Sequence, residues 1–386
     1  MSTSPRFGDT WGSVLLDLLR ALAAFLVLAE HWRNFFFVDF SELPISHRRM
    51  FAAPYALTVT GHEAVIIFFL LSGFLICGSV LRMLKRNAWT WRGYATHRLV
   101  RLWIVILPGL LLGAMWDTLG VSLQHTRSLY LGDAANHMMH NVAYQRQVTI
   151  FLGNVFFLQG VTVPTFGSNG ALWSLANEFW YYVLFPLGLI ALWNSQRFAV
   201  RICCGLLFIV IAFWLRGSLL PRFPIWLAGA FLSILPELAV STRIRWVAGL
   251  TYAAMVVALQ LSAPRLAFLV FDFLFAIGTA GLLWVFVSST SVARPTRTVR
   301  AIRFLARGSF SLYVVHMPLL AFVAAYCVGP SRWQPTPMHL LEALTILAFT
   351  VVYAFVIAYF TEFRTDRVRG WIELRFPTLT GRRKPV

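Results

Sequence analysis

Ten stretches of this chain stay apolar for about twenty residues each, and that pattern leaves few folds open. They cover roughly residues 13–33, 64–82, 102–119, 171–193, 202–219, 223–240, 246–263, 267–289, 304–326 and 340–360. At a rise of about 1.5 Å per residue, each is long enough to cross a hydrocarbon core about 30 Å thick. Lipid offers no partner to backbone N–H and C=O groups, so such stretches must be helices or strands of a closed barrel, and their length favours helices. Hydrophobic residues make up 59% of the chain and charged ones 12%, far from the balance of soluble domains. The expected fold is all-α, a polytopic membrane bundle of about ten transmembrane helices. Residues 1–12 are expected as an N-terminal segment, 13–362 as one membrane domain, and 363–386 as a basic tail. The first stretch carries Asp17 and Arg20 and follows no basic leader, so it reads as a span rather than a cleavable signal.

The formal charge of +18 invites a nucleic-acid partner, but its distribution argues for membrane lipids instead. With the N-terminus in the cytoplasm, the inner segments hold most of the 33 Lys and Arg side chains. That is the positive-inside bias, with both termini cytoplasmic. The segment VARPTRTVRAIR (292–303) sets Arg294, Arg297, Arg300 and Arg303 three apart, the stripe of an amphipathic helix on a membrane surface. The longest stretch outside the spans is 120–170. Its apolar part, FLGNVFFLQGV (151–161), is too short to cross and is expected to be re-entrant or interfacial. His137 and His140 near Asp133 have helical spacing, but too few ligands stand around them to expect a metal. The four cysteines lack metal spacing, and no disulfide is expected.

Ionisable groups inside a span are costly and mark functional sites. Arg20 and His31 stand eleven residues apart in the first span, within about 20° of three full helical turns, so they share a face. Histidine suits proton transfer because its ordinary pKa lies near neutrality. Asp17 can pair with Arg20 across one turn. In ALWSLANEFWYY, Ser174 and Glu178 are i, i+4 neighbours. That carboxylate could orient an imidazole, bind a sugar hydroxyl or only join helices. Trp173 fits an interface anchor. Ser309, Tyr313 and His316 form a polar stripe, followed by Pro318 as a kink site. Ser72 and Gly73 would let a helix or a ligand approach closely. The loop between the second and third spans holds Arg82, Lys85, Arg86 and Arg92, then Arg98 and Arg101 one turn apart. Such a pair can grip a phosphate or simply fix topology.

Five of these fragments, in chain order, resemble the membrane acyltransferase-3 family, the O-acyltransferases that decorate bacterial glycans. They are the Arg-x10-His of Arg20 and His31, FFLLSGFLI (68–76), Arg98-x-x-Arg101, the WSLxxE of Trp173 to Glu178, and SFSLYVVHMP (309–318). The resemblance covers about residues 13–362. It implies an enzyme of the bacterial inner membrane that takes an acyl group, acetyl by default, from cytoplasmic acyl-CoA. The acceptor would be a hydroxyl of a glycan or lipid-linked saccharide. His31 would be the catalytic residue, supported by Arg20 and Glu178. Arg98, Arg101, Ser72 and Gly73 would serve the donor. Asp17, Trp173, Ser174, Tyr313 and His316 would serve the acceptor or the histidine. No metal or cofactor is expected beyond the acyl-CoA co-substrate. The chain departs from the family where an acid usually precedes FF: Ile66 and Ile67 stand there, and Glu63 comes earlier. The other class that fits intramembrane Arg, Glu and His is a transporter of an anionic solute or lipid-linked sugar. The lack of an internal repeat leans against it.

Overall fold

The computed structural model describes residues 10–132, 139, 141–193, 196–238, 240–287 and 292–376. These form sixteen α-helices and, among the described residues, no strand beyond isolated bridges. The first four are α1 (Trp11–Phe36), α2 (Ile45–Leu57), α3 (Gly61–Lys85) and α4 (Trp91–Ser122). Three short ones follow: α5 (Gln124–Leu131), α6 (Val142–Gln145) and α7 (Val148–Val155). Then come α8 (Trp173–Leu192), α9 (Phe198–Leu215), α10 (Phe223–Leu232), α11 (Thr242–Ser262) and α12 (Phe268–Val287). The chain closes with α13 (Arg297–Arg307), α14 (Ser309–Cys327), α15 (Pro337–Phe360) and α16 (Thr365–Arg375). Nine helical stretches among the described residues are long and apolar enough to cross a membrane. The protein is an all-α, multi-pass membrane bundle. It divides into two compact units, described in turn.

The first unit comprises Met1–Ala23, Glu63–Trp89 and Asn177–Ala306. Here α3 and α10 meet backbone to backbone. A Cβ on Gly73 would run into the Trp226 carbonyl, and one on Gly229 into the backbone of Leu70. The expected sixth span, 223–240, is not one long helix. α10 ends at Leu232 because Pro236 lacks an N–H and would clash with the carbonyl one turn back. The chain nonetheless runs the length of α12. Arg222 pairs with Asp272 at 3.1 Å near one end of α12, and Trp284 near the other donates to the Pro236 carbonyl at 3.0 Å. A cavity of about 260 Å³ opens beside this break, lined by Leu71, Leu75, Gly78 and Arg82 of α3 together with Glu237 and Trp284. Arg297, Arg300 and Arg303 of the arginine stripe lie on α13, Arg294 precedes it, and Val299 is buried against Val14 and Ala293.

The second unit comprises Ala24–His62, Thr90–Ala176 and Arg307–Val386. Its centre is α14, which packs on α4 and α15. Small residues set the spacing: Gly109 faces Val314, and Gly308, which separates α13 from α14, faces the Phe355 ring. The expected ninth span, 304–326, therefore begins later, at Ser309. FLGNVFFLQGV doubles back into the unit. α7 packs on α4, and the Val155 carbonyl accepts from Trp103 at 2.9 Å, about 28 Å down α4 from Ser122. The return segment is pinned by Asn154, which donates to the carbonyls of Ile150 and Pro164 and accepts from Phe166 N–H. Ser168 then bonds Asp117 through both its N–H and its hydroxyl. Re-entrant is thus the better of the two expected descriptions for this segment.

Candidate active site

α14 positions the chemistry because it is the most buried span. Ser309, Tyr313 and His316 are all buried, His316 completely. Its Nδ1 lies 2.9 Å from the Leu312 carbonyl, and its Nε2 lies 2.7 Å from Nδ1 of His31. The two rings are 12° from parallel with centroids 5.1 Å apart, the spacing of imidazoles joined nitrogen to nitrogen in nearly one plane. A carbonyl only accepts, so neutral His316 carries its proton on Nδ1 and offers the Nε2 lone pair. His31 must then donate from Nδ1, which leaves its own Nε2 bare. Half-buried His31 thus presents a lone pair, while buried His316 holds the ring behind it. Trp32 fixes this end of α1 by donating to the Ala343 carbonyl of α15 at 2.7 Å.

The start of α8 is sewn to the same helix. Tyr313 donates to the Ala171 carbonyl at 2.9 Å and shares a 2.6 Å hydrogen bond with Ser174. Asn169 donates to the Val314 carbonyl at 2.8 Å. Trp173 stacks on His62, with centroids 6.4 Å apart and planes 16° from parallel. His31, His316, Tyr313, Ser174 and Trp173 therefore lie in one unit. Arg98 and Arg101 are half-buried on α4 of that unit, with the Arg98 guanidinium 5.4 Å from the centre of the Tyr94 ring. His97 beside them meets Glu373 of α16 at 3.1 Å.

Glu178 belongs to the first unit, where its carboxylate accepts from Tyr182 and, at 3.2 Å, from Ser72. Ser72 in turn accepts from Trp226 at 3.1 Å. The space bared by Gly73 is filled by α10, so a closely packed helix stands there. On α1, the charges nearest Asp17 are Arg20 and Arg303. No set of three or more His, Cys, Asp or Glu side chains able to hold a metal occurs among the described residues. Asp133, His137 and His140 lie outside them. Sequence reasoning placed His316 among the supporting residues without seeing its partner. It passed over His62 and Arg33, whose only signal was proximity in sequence to motif residues.

A membrane bundle with a histidine pair inside its second unit fits a transferase embedded in the membrane. A family model described as an acyltransferase domain matches residues 14–361, nearly the whole chain. The protein belongs to the acyltransferase-3 family and is a membrane acyltransferase. No curated protein and no solved structure matches it.

Proposed function

We propose that the protein is an acyl-CoA-dependent O-acyltransferase of the bacterial inner membrane. It moves an acyl group, acetyl by default, from cytoplasmic acyl-CoA to a hydroxyl of a glycan or lipid-linked saccharide. The observation that carries this reading is the bare Nε2 of His31, set by the hydrogen bonds from Leu312 through His316. In the direct route, Nε2 takes the proton of the acceptor hydroxyl as its oxygen attacks the thioester carbonyl. The tetrahedral adduct collapses, the C–S bond breaks, and the imidazolium returns its proton to the departing CoA sulfur. His316 strengthens this base because its lone pair receives a charge-assisted hydrogen bond once His31 becomes cationic. In the alternative route, Nε2 attacks the thioester carbonyl, the C–S bond breaks to release CoA as its thiolate, and the acceptor hydroxyl then takes the acyl group from Nε2 while its proton goes to the CoA thiolate. We favour the direct route, which needs no covalent intermediate.

Arg98 and Arg101 are assigned to the donor phosphates. Arg20 is assigned a supporting charge on the His31 face of α1, and Asp17 its counter-ion. Ser174, Trp173 and Tyr313 are assigned to the acceptor side, and Ser72 and Glu178 to a polar cluster supporting transfer. The test is thioester loss from acetyl-CoA by the purified protein with saccharide acceptors. Wild type should show acceptor-dependent loss. His31→Ala should lose at least about 10²-fold, the scale of acid–base catalysis, with its melting temperature nearly unchanged. Near-normal turnover in that variant would remove His31 from the chemistry.

A further inference from the structure

Arg33 lies in the last turn of α1, two residues beyond His31, and is half-buried. Its guanidinium carbon stands 5.2 Å from the centre of the Tyr55 ring. Tyr55 is buried on α2 and anchored by a 2.8 Å hydrogen bond to the Val38 carbonyl. The Nε of Arg33 is buried without a hydrogen bond, and none of the ion pairs among the described residues includes it. The charges around it are Glu30, Asp39 and Arg332. Asp39 is committed to Arg332, which grips both its oxygens at 3.0 and 2.9 Å and reaches Glu42 at 3.4 Å. Glu30 lies along the bare Cα of Gly61. Two arginines thus stand in one neighbourhood of the second unit, one with its fork filled by a carboxylate and one without.

The dipole at the end of α1 favours a cation here, but it supplies no acceptor to the Nε–H. A planar guanidinium is matched by a carboxylate or a phosphate, which can take two parallel hydrogen bonds. Tyr55 beside it is buried, so the Arg33 guanidinium packs against a fixed ring. We propose that Arg33 binds an oxyanion, carboxylate or phosphate, carried by the acceptor saccharide. Identifying the ligand as the acceptor rests on the function proposed above. Arg33 points about 200° around α1 from His31. The anionic group therefore belongs to a different part of the acceptor from the hydroxyl that reacts, as in a polysaccharide with acidic residues or a sugar linked through phosphate.

Binding titrations on the full-length protein in detergent test this without any acyl donor. The probes are methyl glucuronide, glucose 1-phosphate and neutral methyl glucoside. Wild type should bind at least one of the anionic probes at least about 10-fold more tightly than the neutral one. Arg33→Gln should erase that difference, a loss of about 10- to 150-fold. Arg33→Lys should recover part of it, because it keeps the charge but not the fork. Arg49→Gln, an exposed arginine on α2, should change nothing. If Arg33→Gln does not fold, Arg33→Lys decides the matter: undiminished anion binding there overturns the fork. Equal binding of acidic and neutral probes by wild type overturns the site. So does a loss confined to added phosphatidylglycerol, which would give Arg33 to a lipid headgroup. If the anion preference holds while acetyl-CoA is never turned over, the proposed reaction fails and the oxyanion site stands.

Discussion

His316 decides what His31 can do. The carbonyl of Leu312 fixes the tautomer of His316, and His316 fixes that of His31, so one backbone acceptor sets the tautomers of two imidazoles. A side chain at position 316 that can accept from Nδ1 of His31 should therefore preserve function better than one that cannot. His316→Gln keeps an amide oxygen for that bond, whereas His316→Leu keeps only volume. We expect the leucine variant to lose at least about 10-fold in kcat, at the low end of what acid–base catalysis contributes, and the glutamine variant to lose clearly less. KM for acetyl-CoA should hold in both, measured with a saturating acceptor. Equal losses in the two variants would mean that His316 only fills space. The stripe of Ser309, Tyr313 and His316 was legible from helical spacing alone. The pairing was not, because 285 positions separate His31 from His316, and pattern within one helix says nothing about which helix faces it.

At the scale of elements, spans of uniform apolar character were read well, and the misreadings fall where the backbone departs from one long helix. Residues 223–240 carry enough hydrophobicity for a span, but Pro236 ends the helix and the remaining backbone is stitched to Trp284. The α3–α10 contact was legible only as a glycine beside Ser72. Its partner, Gly229, lies in a helix whose position the sequence does not give. That contact tolerates no side chain, since a Cβ at Gly229 would collide with the backbone of Leu70 rather than with a movable side chain. Gly229→Val should therefore destabilise the fold by about 1–3 kcal/mol, the usual cost of overpacking. It should also pull Trp226 from Ser72 and loosen the cluster around Glu178. Gly217→Ala, with open space around the new Cβ, should leave thermal unfolding in detergent unchanged. Matching melting curves for Gly229→Val and wild type would show that α3 and α10 can part without cost.

At the scale of the whole molecule, the broken sixth segment decides which side of the membrane the C-terminus faces. Nine helical stretches have the length and composition of spans, and an odd number of crossings would put the two termini on opposite sides. We expect the chain from Arg222 to Pro236 to supply a tenth crossing. Its first residue is bonded to Asp272 and its last to Trp284, so it advances with α12 by about 18 Å, counted as twelve residues at the helical rise. Lys85 and Arg86, at the end of α3 beyond Arg82, should then lie on the same side as the N-terminus and α16, with α2 opposite. The excess of basic residues predicts that this common side is the cytoplasm. Single cysteines at positions 49, 86 and 371, introduced after replacing Cys77, Cys203, Cys204 and Cys327, test the count. A membrane-impermeant maleimide added to intact cells should label position 49 alone, and permeabilised cells should label all three. Labelling of positions 49 and 371 together, with 86 protected, would mean that α10 dips in and returns. Labelling of 86 and 371 without 49 would invert the bundle and place the basic loop away from any cytoplasmic acyl donor.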